Sequence, residues 1–284
     1  MENIYVTNYS AIREAHRENF DALERAQKLF GVEFFLIGGQ GRDVWIKHHI
    51  LDDNRLTSDI DFSVRVPDQK TWDNLVEYLL TKESFTRDND IPYRFYHFGM
   101  LHIIPFGGIE ENGKVLLQEP DKMITVSGFQ EAADYAEDLE GPFRVVTLPG
   151  LCIMKLLSYH ENPDTRAQDW DDFVFLLLNY MQITAGDQLL DDQDDLISDD
   201  MDLSVVAARV LGRNMGELLI DNEWLRYKVL AILQKKLNGL SAEEIDRMYQ
   251  ADEDDEQSFM GKLVKETMDG IIEEHEDAQE NISL

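Results

Sequence analysis

The sequence predicts an α/β (α+β) fold, a mixed sheet with flanking helices followed by a helical C-terminal region. Three features carry this reading. Short apolar runs rich in β-branched and aromatic residues recur between Glu33 and Leu148, separated by glycines, prolines and stretches of helical spacing. After Pro149 the apolar residues recur at helical spacing only. An aspartate-rich stretch then interrupts the second half. The expected division is an α/β domain over residues 1–148 and a helical region over 149–284, with an acidic linker near 186–202.

Taken in order, Ser10 to Leu29 is rich in helix formers and carries Ile12, Phe20, Leu23, Ala26 and Leu29 as a stripe, so an opening helix is expected. Glu33 to Ile37 is an apolar run that stops at Gly38-Gly39, which reads as a buried strand ending in a tight turn. Residues 40–49 follow as a helix. Asp52 to Ser58 is a polar connection containing Arg55, either a phosphate contact or a surface arginine, and Asp59 to Val64 is the next strand. Pro67 breaks that run. Gln69 to Thr81, with Trp72, Leu75, Val76 and Leu79 at helical spacing, is a helix that crosses back over the sheet. Tyr93 to Phe98 and Met100 to Phe106 read as two strands joined through Gly99 into a hairpin. Phe129 to Leu139 reads as a short helix and Phe143 to Leu148 as a strand, giving about five strands of mixed direction.

Beyond Pro149, helices are expected over Leu151 to His160, ended by Asn162-Pro163, and over Arg166 to Tyr180. Gly186 to Asp202 holds eight aspartates and no Lys or Arg, so it reads as an exposed linker. It lacks the glycine and glutamate that an EF-hand calcium loop requires at fixed offsets. Val205 to Leu219, Glu223 to Leu237, Ser241 to Gln250 and a last helix around Phe259 to Glu274 make a small helical bundle. Ser241-Ala242-Glu243-Glu244 forms a capping box, and the acidic run Asp252 to Glu256 precedes the last helix.

Within this frame one stretch carries chemistry. Glycines at 38 and 39 allow close backbone approach, and the first free N–H groups of the following helix favour a phosphate. Gln40 lies at that turn, and Arg42 adds a possible charge-assisted hydrogen bond. In the next strand Asp59 and Asp61 share one face while Ile60 and Phe62 share the other. Two carboxylates on one face beside a glycine turn can hold Mg²⁺ through oxygen ligands, with the ion carrying nucleotide phosphates. The plainer alternative is a simple turn next to the solvated face of an edge strand. Lys155 lies in an apolar helical run, where a lysine either extends to water or is positioned for an anion. Asp169 and Asp172 lie three apart, on one helical face.

These segments resemble the DNA polymerase beta-like nucleotidyltransferase superfamily, and more narrowly its AbiEii-type members of abortive-infection and toxin–antitoxin systems. Leu101-His102-Ile103-Ile104-Pro105-Phe106-Gly107-Gly108-Ile109-Glu110 is similar to that family's strand and turn. Leu148-Pro149-Gly150-Leu151 leading to Lys155, then Asp169 and Asp172, is similar to its lysine helix and following acidic segment. The match covers about residues 30 to 182. It implies a nucleotidyltransferase-type sheet, an NTP substrate, Mg²⁺ (or Mn²⁺), and an RNA, tRNA or other acceptor, with a cognate antitoxin as partner. It also implies that Asp59 and Asp61 hold the metal, that Gly39, Gln40 and Arg42 cradle phosphates, and that Lys155 faces the triphosphate, while Asp169 or Asp172 orients the acceptor. Three positions depart from the pattern. His102 stands where relatives carry a third acidic residue, Asn162 where they carry arginine, and Gln168 where they carry lysine. Arg166 is the candidate to replace one of the missing bases. His102 is a metal ligand better suited to Mn²⁺ or Zn²⁺, a base, or the mark of a disabled site. The alternative function is thus a nucleotide- or protein-binding module that keeps the fold without efficient chemistry. Glu110 and Glu111 are either ligands or surface charge.

Composition sets the remaining bounds. With 57 acidic and 26 basic residues, a net charge of −31, the chain is no general nucleic-acid binder, although a metal-borne nucleotide or a cationic small-molecule acceptor escapes that objection. The lone Cys152, in an apolar helical context, reads as a packed thiol and suits a reducing compartment. Met1 to Phe20 is too polar for a signal peptide, and no apolar stretch reaches membrane-spanning length, so a cytoplasmic protein is expected.

Overall fold

The computed structural model describes residues 9–46, 59–118, 121–139, 141–184, 193–196, 202–239 and 256–282. The chain divides into two compact units, with the boundary between Leu151 and Cys152.

In the first unit, helices α1 (Tyr9–Ala15) and α2 (Arg17–Phe30) replace the single opening helix expected, because His16 leaves the helical region at φ −119°, ψ 28°. Strand β1 (Glu33–Ile37) matches its predicted bounds, and helix α3 (Gly38–Trp45) starts two residues earlier than expected. The expected end of that helix at residue 49, and the connection with Arg55, lie outside the described residues. Strand β2 (Asp59–Val66) is followed by helix α4 (Gln69–Thr81). Pro67 cannot extend the ladder, and Asp68 begins the helix by accepting a hydrogen bond from the Thr71 backbone N–H at 2.7 Å. Replacing Asp68 by Ala is expected to lower stability by about 1 kcal/mol, read from the midpoint of urea unfolding.

Strands β3 (Thr86–Arg87), β4 (Arg94–His97) and β5 (Gly99–Gly107) come next, and β4 turns into β5 where Gly99 takes φ +121°. A ribbon of β6 (Lys114–Leu117) and β7 (Lys122–Thr125) follows, then α5 (Phe129–Asp134) and β8 (Arg144–Val145). The last predicted strand is shortened because helix α6 (Leu148–Glu161) begins at Leu148; proline is accepted in a first helical turn, where its missing N–H breaks no bond. Among the described residues the sheet has six strands in the order β3-β4-β5-β2-β1-β8. It is mixed: β2 runs parallel to β5 and antiparallel to β1, while β1 runs parallel to β8.

The pleat of β2 sorts its residues as alternation requires. Ile60 and Phe62 are fully buried, whereas Asp59 and Asp61 are half-buried. Phe62 meets Phe20, Phe34 and Phe143 with ring centroids 5.1 to 6.1 Å apart, an aromatic core that fixes β2 in register between α2 and the sheet.

The second unit is helical. It holds α6 from Cys152 onward, α7 (Ala167–Ile183), a 3-10 turn at Asp194–Leu196, α8 (Leu203–Leu218), α9 (Glu223–Leu237) and α10 (Glu256–Ile282). Most of the acidic linker, the expected helix Ser241 to Gln250 and the start of the acidic run at Asp252 lie outside the described residues. Cys152 is fully buried, and burial pushes its thiol far up, consistent with a packed rather than a reactive group. Among the described residues no helix is long and apolar enough to cross a membrane.

Candidate metal centre

Strand pairing builds the site from three strands. The parallel register of β2 and β5 sets Asp61 beside His102, and the antiparallel register of β4 and β5 sets His102 beside Arg94. The row Asp61, His102, Arg94 therefore crosses one face of the sheet, with Asp59 one pleat away from Asp61 on β2. His102 Nδ1 lies 2.8 Å from Asp61 Oδ1 and 3.5 Å from Asp59 Oδ2. Each of Asp59, Asp61 and His102 offers one ligand atom, all within 4.8 Å of one another. Their side chains are 28%, 23% and 15% exposed, so the cluster is partly open to solvent. Two carboxylates and an imidazole suit a divalent cation. These three residues could hold such a metal.

The glycine turn belongs to the same feature. Ile37 pairs with Asp61, and Gly38 takes φ +66° as α3 begins. A Cβ on Gly38 would overlap the Asp61 carboxylate. Gly38 thus supplies both a left-handed backbone and the space that Asp61 occupies. Gly39 and Gln40 follow in the first turn of α3, both half-buried. Trp45, at the other end of the helix, donates its indole N–H to the Val146 carbonyl at 2.9 Å and so ties α3 to the chain beyond β8. Arg42 is buried, and its Nε and Nη2 donate to Asp43 Oδ1 at 2.9 and 2.7 Å.

One basic residue that sequence reasoning missed borders this cluster, and a second stacks behind it on Tyr93. Arg94 donates from Nε to His102 Nε2 at 3.1 Å and lies 3.8 Å from Asp88 Oδ2. Tyr93 meets the His102 ring edge-on at 5.6 Å, and the Lys122 ammonium sits 5.5 Å from the centre of the Tyr93 ring. Only strand register brings Arg94 to His102, and no spacing in the sequence announces it. Asn112-Gly113, with φ 53° and 70°, turns the chain between the bridged residues Glu111 and Lys114, just ahead of β6. Glu110 and Glu111 stay outside the cluster. Glu110 is half-buried, accepts from the Gly107 N–H at 3.3 Å and has its carboxyl raised by burial, whereas Glu111 is exposed.

The second unit gathers the remaining candidates on α6 and α7. The Lys155 ammonium lies 2.7 Å from Asp169 Oδ1 and 2.8 Å from Asp172 Oδ2. Burial pulls its pKa down, but the two carboxylates outweigh that and hold it above the ordinary lysine value. Ser158 donates to Asp169 Oδ2 at 2.8 Å, and Arg166 lies 3.5 Å from the same oxygen. The two departures from the basic pattern are local hydrogen-bonding groups: Asn162 Oδ1 accepts from the Thr165 N–H at 3.4 Å, and Gln168 donates to Asp172 Oδ1 at 3.4 Å.

The chain matches no protein-family model, and no curated protein is significantly similar to it. Among solved structures, the solution structure of the antibiotic-resistance factor ANT(2'')-Ia overlaps 53% of this chain and 76% of that one, with a TM-score of 0.34 and 13% identity. Fold and geometry define this chain as a mixed α/β protein with a helical second unit and a candidate divalent-metal centre on its sheet.

Proposed function

We propose that this chain is a metal-dependent nucleotidyltransferase moving a nucleotidyl group from an NTP to an acceptor hydroxyl or amine. The observation that carries the reading is the pair Asp59 and Asp61 on one face of β2, with the second carboxylate lodged against the glycine that opens α3. Asp59 and Asp61, with His102 beside them, would hold one divalent ion, Mg²⁺ or Mn²⁺. When bound, such an ion supplies positive charge to the phosphates and to the attacking and leaving oxygens.

The chain's own residues supply position. The β2 backbone fixes both carboxylates before any ligand arrives, which is the preorganisation that electrostatic catalysis requires. Gly38, Gly39 and Gln40 offer the first N–H groups of α3 to a phosphate, and Arg42 belongs to the same helix. Lys155 is the residue proposed to neutralise charge on the departing pyrophosphate, with Asp169 or Asp172 orienting the acceptor. The AbiEii-type resemblance supports an RNA or tRNA acceptor, a toxin role and a cognate antitoxin partner, while the charge of −31 also suits a cationic small-molecule acceptor.

A specific observation supports a second reading, a nucleotide- or protein-binding module with impaired chemistry. By the AbiEii-type resemblance His102 stands where relatives carry a third acidic residue, and its Nδ1 lies 2.8 Å from Asp61 Oδ1. Calorimetric titration of each NTP with Mg²⁺, with Mn²⁺ and without metal separates the two. The enzyme reading expects metal-dependent binding of at least one NTP, lost in Asp59→Asn. Absence of binding with either ion would leave the module reading and direct the search to protein partners.

A further inference from the structure

We propose that Arg94 is a positioning residue of the candidate metal centre: it fixes the His102 proton on Nδ1, and so decides whether the site offers an ion two ligands or three. The inference rests on reading Asp59, Asp61 and His102 as a metal centre, and it does not depend on nucleotidyl transfer.

The argument is one of donors and acceptors. The Arg94 Nε–H can only donate, and it points at His102 Nε2 from 3.1 Å. Nε2 is therefore the acceptor and carries no proton, which leaves the proton of the neutral ring on Nδ1. Nδ1 in turn faces Asp61 Oδ1 at 2.8 Å and Asp59 Oδ2 at 3.5 Å, and carboxylate oxygens only accept. One tautomer satisfies both sides of the ring, and the hydrogen bonds run from Arg94 through His102 to Asp61 along the cross-strand row.

Neighbours hold this arrangement in place. Arg94 is drawn by Asp88, which accepts from the backbone N–H groups of Asp90 and Ile91 at 2.9 and 3.0 Å and from the Tyr96 hydroxyl at 2.8 Å. The Tyr93 ring packs edge-on against the imidazole.

The consequence concerns ion choice. Imidazole ligates through a nitrogen that carries no proton. For Nδ1 to become a ligand its proton must pass to Nε2, where it would confront the Arg94 N–H with no acceptor between them. Docked Arg94 and ligating His102 thus exclude each other. With Arg94 docked the site presents two carboxylates, a donor set for hard ions such as Mg²⁺. With Arg94 removed an imidazole joins them and the set favours Zn²⁺. Arg94 is on this account a discriminator against Zn²⁺.

The test uses the whole chain, with ¹⁵N-labelled histidine followed by long-range ¹H–¹⁵N NMR and His102 assigned by its loss in His102→Gln. The expected wild-type signal is Nδ1–H with an unprotonated Nε2. Zn²⁺ and Mg²⁺ are then titrated separately into wild type and Arg94→Met. Loss of the arginine charge strengthens both ions alike, whereas release of His102 strengthens Zn²⁺ alone, so the ratio of the two affinities is expected to rise about tenfold or more. A wild-type ring protonated on Nε2, or a ratio unchanged in the variant, would overturn the proposal. The wild-type spectrum decides even if Arg94→Met does not fold. Failure of either ion to bind either protein would remove the ligand-set claim together with the metal reading. Intact ion binding without nucleotidyl transfer would count against the proposed function alone.

Discussion

Replacing Asp61 with Asn is expected to lower nucleotidyl transfer about a thousandfold and Mg²⁺ or Mn²⁺ affinity at least tenfold, while leaving the fold intact. The substitution preserves shape and removes one negative charge from a site whose affinity for a cation comes from two. It also places an amide where the carboxylate accepts from His102 Nδ1 at 2.8 Å, so the residue can still accept that bond but no longer opposes an ion with full charge. Several kcal/mol of charge stabilisation from the ion are then lost, and each 1.4 kcal/mol is about tenfold in rate. Asp61 points away from the core, because its strand neighbours Ile60 and Phe62 fill it. Thermal unfolding should accordingly shift little. Manganese binding followed by electron paramagnetic resonance, alongside the unfolding curve, checks both halves, and wild-type manganese affinity in Asp61→Asn would remove Asp61 from the site.

Much of this site was legible because it is local in sequence. Strand β1 and helix α4 have the bounds their patterns predict, since a glycine pair ends one and an aspartate cap starts the other. Placing Asp59 and Asp61 on one face needed only the two-residue period of a strand. Sequence order announces a hairpin such as β4–β5 but gives neither its register nor which other strand lies beside it, and that is where the reading fell short. Arg94 looks like an ordinary polar residue of a strand until the register of β4 on β5 sets it beside His102. His102 was open to several roles for the same reason, because a histidine's role depends on what its second nitrogen meets. The ribbon of β6 and β7 is not read from the sequence, since the Asn-Gly turn at 112–113 lies ahead of β6 and does not join the two strands. Single helices were mispredicted where the backbone departs from ideal geometry, at His16 between α1 and α2 and at Gly38, where the left-handed residue opens α3 earlier than its pattern suggests.

Gly38 provides the second large effect, and Gly31 provides its control. Both take the left-handed conformation, at φ +66° and +62°. Replacing either with Ala forces a Cβ into a region that costs an L-residue about 1–2 kcal/mol. At Gly31, the C-cap of α2, nothing lies within 4 Å of the added atom, so the backbone cost is the whole effect. At Gly38 the added Cβ meets the carboxylate, Cγ and Cβ of Asp61 together. Rotating the carboxylate cannot relieve an overlap that includes Cβ, so either β2 shifts against α3 or Asp61 leaves His102. Gly38→Ala is therefore expected to lose more stability than Gly31→Ala, roughly 2–4 kcal/mol against about 1. It is also expected to weaken Mn²⁺ binding at least tenfold, an effect that Gly31→Ala lacks because it adds the same strain far from the carboxylates. Urea unfolding and manganese titration of the two variants side by side separate the shared backbone cost from the displacement of Asp61. Equal stability loss and wild-type ion affinity in Gly38→Ala would mean that the close approach of glycine and carboxylate plays no part in holding the site.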